Sequence, residues 1–527
     1  MLFTSLKFVV FITALIVVYY LFVPRHERWG LLLIASLAFY FFADPRYLIF
    51  IGITSVTAYV FAILAEDYGI KRKAYLKENK DSFDAESKKK YKATTARVNR
   101  LLLILALLIN LGILAVTKYT NFVIDTLNNF RNDPLSFVNV IVPMGISFYT
   151  FQTVSYSIDI SRGTIKAQRS FLKFLLFVSF FPQLVQGPIS RYDDLSKTLY
   201  NPKHFDLNSF CEGFIRTLWG YFKKLVIADR LVIALKALTA DPDEYKGAFV
   251  FVVMMLYAAQ LYCDFTGGID ITIGIAKMLG VTVKENFDLP YFSKNIKEYW
   301  NRWHITMGTW FTDYIFYPLS VSPTMLKLSK WSRQHLGNAV GKRVTVYISC
   351  FAVWLATGIW HGAAWHFVVW GLMNFVVIMA SQELEPLYAK FHAKYGLKDK
   401  KGYEVFEIVR TFFLMSSLKL FDCYRNVGLT FKMFGSMFIP TNIGRVFGGE
   451  LLNLGLTGGD YLVAGIAIVI VFLVSLYKKL KGQDLREELV ERFPCFVLCS
   501  SALIIATLVF GAYGKGFDAS QFIYNQF

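Results

Sequence analysis

Apolar runs of bilayer length follow one another along this chain with little between them. Residues 6–23, 29–43, 47–65 and 101–117 fill most of the first quarter, each close to the roughly 17–25 residues that cross a hydrocarbon core as a helix. Further runs cover 136–158, 171–186, 248–263, 344–380, 404–420, 461–477 and 494–513, with weaker stretches at 215–238 and 269–281. The pattern predicts an all-α, polytopic membrane protein. No tandem repeat divides it, so one domain over residues 1–527 is the simplest organisation. The first run reads as retained, because two more follow at once and no small-residue cleavage site ends it.

Composition agrees with the pattern. The chain is 55% hydrophobic and holds 50 Phe, 30 Tyr and 10 Trp, which argues against a water-soluble multidomain protein. The net charge of +18 sits largely between the runs, in "GIKRKAYLKENK", "SKKKYKATTARVNR" and "KYGLKDKKGYE". Placed there it is a topology signal rather than a nucleic-acid surface. A cytoplasmic loop at 66–100 puts "PRHERW" on the same side and both termini outside. That loop mixes both signs and favours helix, so a solvated helical hairpin or a mobile loop is expected, with some attraction to anionic membrane lipid. Six scattered cysteines, with no CxxC pair, indicate neither a disulfide framework nor zinc.

Candidate chemistry starts at "EYWNRWHITMGTW", Glu298 to Trp310. Advancing about 100° per residue, a helix gathers Trp300, Trp303, His304, Met307, Trp310, Phe311 and Tyr314 on one side. Such a helix lies at the interface or enters the membrane as a broken element facing a cavity. An imidazole on its oily side needs a partner or a wet space, since an unsatisfied polar group there costs roughly 2–7 kcal/mol. A plain bond to a backbone carbonyl, joining two helices, satisfies it equally well. Glu298 and Arg302, four apart, are expected to pair along the helix.

Two further histidines, His361 and His366, lie in "TGIWHGAAWHFVVWGLMNF" within 344–380. Thirty-seven residues exceed one crossing at roughly 20 residues, so two spans meet there, and Gly358 and Gly362 put the break beside His361. The two histidines are five apart and diverge by about 140° on a helix. With no HExxH and no GxSxG, metal and serine-nucleophile chemistry are not indicated and acid–base work by histidine remains. Gln260 and Asp264 either face a channel or bridge helices. Arg191, Asp193 and Asp194 read as a membrane-edge salt-bridge cluster, and Pro182 and Pro188 as helix-ending punctuation.

Five stretches carry a family resemblance: "PMGISFYTFQTVSYSIDISRG" from Pro143, "FFPQLVQGPISRY" from Phe180, "YCDFTGGIDITIG" from Tyr262, "NFDLPYFSKNIKEYWNRWHITMGTWFTDYIFYPL" from Asn286 and "GIWHGAAWHFVVWGL" from Gly358. They resemble the membrane-bound O-acyltransferases, particularly the bacterial branch with the alginate O-acetylation protein and the teichoic-acid D-alanylation membrane protein. "LKLFDCYRNVG" and the terminal "FIYNQF" look like the alginate type. The chain has "TGGID" after "YCDF" where the family often carries a Ser and a Tyr, and His366 has no counterpart that the motif requires, so it is taken as packing or polar lining.

The resemblance implies a motif-bearing core over about 143–374 and many helices, some broken, around a central channel. It places His361 at the family's catalytic histidine and His304 at its second motif histidine. Substrate or channel lining is expected from Trp300, Trp303, Trp310, Trp360, Gln260 and Asp264. No bound cofactor is implied. The co-substrate is an acyl thioester, acetyl-CoA or an acyl carrier protein, on the cytoplasmic side, and the acyl group passes through an extracytoplasmic acyltransferase partner to a polysaccharide or cell-wall glycan in the bacterial envelope. His361 would remove the acceptor hydroxyl's proton, and His304, Trp300 or Trp303 would steady the oxyanion. D-alanyl transfer toward teichoic acid is the nearest alternative. A secondary transporter or polysaccharide export channel is the alternative outside acyl chemistry.

Overall fold

A computed structural model describes residues 3–79, 84–201, 204–397 and 400–513; "FIYNQF" lies outside them. The described residues are helical, with a single isolated bridge between Phe287 and Trp303 in place of any strand. Seven helices are long and apolar enough to cross a membrane: Tyr47–Glu78, Ala85–Asn128, Ala248–Met278, Pro323–His361, Trp365–Tyr395, Gly458–Lys481 and Phe493–Phe510. Leu6–Leu21 and Arg28–Ala43 are shorter apolar helices of 16 residues each. The expected all-α, polytopic class is the class observed.

Backbone proximity sorts the chain into two compact units, one of residues 1–210 with 276–283, the other of 211–275 with 284–527. In the first, the described parts of the basic stretch at 66–100 continue the helices Tyr47–Glu78 and Ala85–Asn128, whose Tyr75 and Tyr91 rings lie 5.0 Å apart, as in the helical-hairpin alternative. Its core is aromatic: Phe8, Phe39 and Phe181 meet with ring centroids 5.5–6.5 Å apart.

Two apolar runs of this unit do not form the single spans expected of them. Only 146–158 of the run at 136–158 is helical, in a helix that continues to 162. Before it, the chain is extended and clamped to the preceding helix by two asparagines: the Asn121 side chain bonds both N and O of Val138 at 2.9 Å, and the Asn128 side chain bonds those of Leu135 at 2.7 and 3.0 Å. Side-chain amides replace the partners that a helix would supply. The run at 171–186 breaks at Phe180, just before Pro182, into Phe171–Ser179 and Phe181–Gln186.

In the second unit the runs at 248–263 and 269–281 belong to one helix, Ala248–Met278. Its neighbour runs through Leu207–Tyr221, a buried π-helical turn Phe222–Ala228 and Asp229–Ala240. A Cβ added to Gly220 would stand 2.5 Å from the Gly267 carbonyl, and one on Gly274 2.6 Å from the Gly213 carbonyl. Glycine therefore sets the close approach of these helices. The outer face of Phe493–Phe510 presents Leu498, Ile505, Leu508 and Val509, apolar surface suited to lipid.

Candidate active site

His361 is the last residue of Pro323–His361, and the next helix, Trp365–Tyr395, begins four residues later. The break therefore falls where Gly358 and Gly362 place it. Gly362 is extended, a conformation open to any residue; glycine is needed because a Cβ there would meet the Phe367 ring at 2.2 Å. A Cβ on Gly358 would likewise meet the Phe367 carbonyl at 2.6 Å, so the two helices close tightly around the turn.

The His361 ring is partly exposed, 4.5 Å from Trp370 and 5.0 Å from Trp360 between centroids. Its Nδ1 lies 2.8 Å from the Thr357 carbonyl. A carbonyl only accepts, so Nδ1 holds the proton and Nε2 is the basic atom of the neutral ring.

His304 is fully buried and sits at a second break. The expected continuous helix through 300–314 does not form: Ile296–Arg302 ends, Trp303 is extended, and His304 takes the left-handed conformation (φ 50°) before Ile305–Phe311 starts. The cause is Asn286. Its carbonyl accepts from Ile305 N at 3.0 Å, and its side-chain oxygen accepts from Thr306 N at 3.0 Å and the Thr306 hydroxyl at 2.9 Å. Asp288 N donates to the Arg302 carbonyl at 3.0 Å beside the Phe287–Trp303 bridge. A segment lying earlier in the chain takes the bonds that a continued helix would have made. The His304 ring is consequently pressed against Phe265 at 5.0 Å and Trp360 at 5.9 Å. Trp360 thus touches both imidazoles.

His361 opens onto a cavity of about 40 Å³ shared with Trp300, Trp303, Trp370, Lys419 and Asp422. The Trp300 indole N–H is buried, with no acceptor among the described residues. Lys419 donates to the Tyr291 hydroxyl at 2.6 Å, and Asp422 accepts from the Tyr257 hydroxyl. Sequence reasoning singled out neither residue, although both lie in "LKLFDCYRNVG"; the available signal was two ionisable side chains at the end of an apolar run.

The remaining expected residues stand apart from that cavity lining. Trp310 packs on Phe311 and Tyr314 at 5.4 and 5.1 Å, Gln260 is buried, and His366 lies 4.2 Å from the Phe367 ring. Asp264 takes the helix-bridging alternative, accepting from Lys224 at 2.5 Å. Glu298 and Arg302 pair at 2.7 Å. Asp193 and Asp194 occupy the first turn of Tyr192–Leu199. Among the described residues no three His, Cys, Asp or Glu side chains converge as a metal site would require.

Helix breaks at His304 and His361, with a small cavity beside His361, mark a membrane protein equipped for acid–base chemistry. Residues 135–421 match the MBOAT, membrane-bound O-acyltransferase family, and the chain belongs to it, as a multi-pass membrane protein. Among individual relatives, a Pseudomonas syringae protein named "Probable alginate O-acetylase AlgI" is 33% identical over 361 residues, 68% of this chain and 63% of that one. The peptidoglycan O-acetyltransferase of Helicobacter pylori is 30% identical over 56% of this chain and 57% of its own, and the teichoic acid D-alanyltransferase of Bacillus subtilis 30% over 52% and 67%. The chain spans 63% of the P. syringae relative and about half of the Azotobacter vinelandii and Pseudomonas putida ones.

Proposed function

We propose that this protein is a membrane O-acyltransferase that takes an acyl group, acetyl in the first instance, from a cytoplasmic thioester and delivers it toward an extracytoplasmic polysaccharide or cell-wall glycan. The observation that carries the reading is the cavity that a partly exposed His361, its Nδ1 bonded to the Thr357 carbonyl, shares with Trp300, whose buried indole N–H has no acceptor among the described residues. The acceptor's oxygen attacks the acyl carbon as His361 Nε2 takes its proton. The C–O bond forms, the C–S bond breaks, and the proton passes to the departing thiolate. Trp300 donates to the carbonyl oxygen as it gains charge. His304, on the far side of Trp360, orients that ring and the wall of the site.

Acetyl is put first because the relative aligned over 68% of this chain is named as an O-acetylase. Acetyl-CoA or an acyl carrier protein would supply the thioester from the side of the basic loops, in a bacterial inner membrane with both termini outside. An extracytoplasmic partner would carry the acetyl group onward.

The test supplies the full chain in lipid nanodiscs with acetyl and D-alanyl thioesters labelled in the acyl group. Loss of label from the acetyl thioester to an alcohol acceptor, abolished in His361→Ala, is the expected result. Preferential use of the D-alanyl thioester would replace acetyl with D-alanyl. Solute flux with no acyl loss from either thioester would return the protein to the transporter class.

A further inference from the structure

A tetrahedral adduct puts negative charge on the former carbonyl oxygen, and sites that stabilise it bring two donors to one point. Trp300 supplies one. A further donor on the cavity wall, and the only cationic one among its described lining residues, is a lysine that has no part in the reading above. Lys419 caps the C-terminus of Lys401–Leu418, is only 6% exposed and borders the same space as Trp300 and His361. A lysine amine buried among aromatic rings inside a membrane protein is expensive to keep and marks a functional position.

Its position is fixed on several sides. The Tyr291 hydroxyl accepts from Nζ at 2.6 Å and passes its own proton bond to the Ala258 carbonyl at 2.7 Å. The amine stands 4.2 Å from the Trp303 ring centroid, 4.6 Å from that of Tyr291 and 5.8 Å from that of Tyr299. Asp422, the other charged group of the cavity, is engaged by the Tyr257 hydroxyl. One bond to Tyr291 leaves further N–H donors on the lysine, and Lys419, Trp300 and His361 line one small cavity.

We infer that Lys419 is the second oxyanion donor, its Nζ–H meeting the Trp300 Nε1–H at the acyl oxygen while His361 takes the proton. This rests on the acyl-transfer reading. Lys419 then acts on the transition state and not on substrate binding in general.

The test uses the full chain in nanodiscs and two inhibitors shaped like the acetyl thioester with sulfur replaced by CH₂: a methyl ketone and a trifluoromethyl ketone, the second of which readily forms a tetrahedral, oxyanion-like adduct. Wild type should bind the fluorinated compound about 100-fold more tightly than the other. Lys419→Met should lose most of that preference and about 10²–10³ in kcat, with KM within a few-fold; Lys419→Arg should recover part of both. Unchanged preference in Lys419→Met would overturn the inference and leave the lysine as packing. If that variant does not fold, Lys419→Gln, which retains N–H donors, is read the same way: partial preference supports the assignment, and full wild-type preference overturns it. No preference in wild type would defeat the acyl-transfer reading itself, whereas preference in wild type that survives in the variants defeats only Lys419.

Discussion

Two clusters of buried polar side chains share the helix Ala248–Met278, and they are built on opposite terms. In one, the Lys224 amine lies 2.5 Å from Asp264 and 2.7 Å from Asp229; Lys223 bonds Thr266 and Asp270 at 2.7 Å; and Arg216 bonds Asp270 at 2.8 Å and Glu285 at 2.5 Å. Each of these cations has a carboxylate. In the other, Leu261 and Phe265 border a cavity lined by Trp300, whose N–H has no acceptor among the described residues, and by Asp422, one oxygen of which has no donor among them. Native interiors satisfy most buried polar groups. The paired cluster therefore reads as a brace between helices, and the under-satisfied one as room kept for a reactant.

The widest test of this contrast is His361→Ala. Removing the base should lower acyl transfer by about 10²–10⁴-fold while thermal unfolding in detergent stays within a degree or two of wild type, because the ring is partly exposed and its Nδ1 bonds Thr357 within its own helix. Wild-type rates in this variant would make His361 a packing residue. Trp300→Phe should follow at about 10²-fold, since it keeps an aromatic ring beside Trp354, which lies 4.7 Å away in wild type, and removes the N–H together with the pyrrole part of the indole. Equal loss of activity and stability in Trp300→Phe would place it on the brace side of the comparison.

The opposite signature is expected from Asp264→Ala. Lys224 would keep Asp229 but lose its 2.5 Å partner, and breaking a buried pair costs about 3–5 kcal/mol. Unfolding temperature should drop by several degrees with transfer per folded molecule largely intact. Asp264 was expected at sequence level either to line a channel or to bridge helices; a loss of transfer at unchanged unfolding temperature would restore the channel role.

The same contrast explains what could be read before the structure. Spans were legible because uninterrupted apolar runs leave the backbone no cheaper way to satisfy itself than a helix, and the break at Gly362 was legible because 37 apolar residues cannot make one crossing. The turn at His304 was not, since its cause is Asn286, which is distant in sequence and bonds through its backbone as well as its side chain. Helical periodicity assumes local partners, and here they are borrowed. The extended stretch before 146 hid for the same reason, its partners being Asn121 and Asn128. Lys419 and Asp422 were overlooked because they end an apolar run, where ionisable residues ordinarily mark the membrane boundary; only the burial of Lys419 shows that this one turns inward.

The smallest effect is expected two residues from His304. Arg302 lies in the motif stretch and pairs with Glu298 at 2.7 Å, yet its side chain is 30% exposed and that of Glu298 27%, a setting in which such pairs contribute about 0.3–0.5 kcal/mol. What Arg302 gives the site is its backbone carbonyl, which accepts from Asp288 N at 3.0 Å and holds the turn. Alanine keeps that carbonyl, so Arg302→Ala should leave unfolding within about 0.5 kcal/mol and transfer within twofold, with weak salt dependence. A tenfold fall in transfer would mean that the guanidinium itself reaches the reactants. The under-satisfied cluster would then extend past His304 to the protein surface, and the boundary drawn between brace and reaction space would have to move with it.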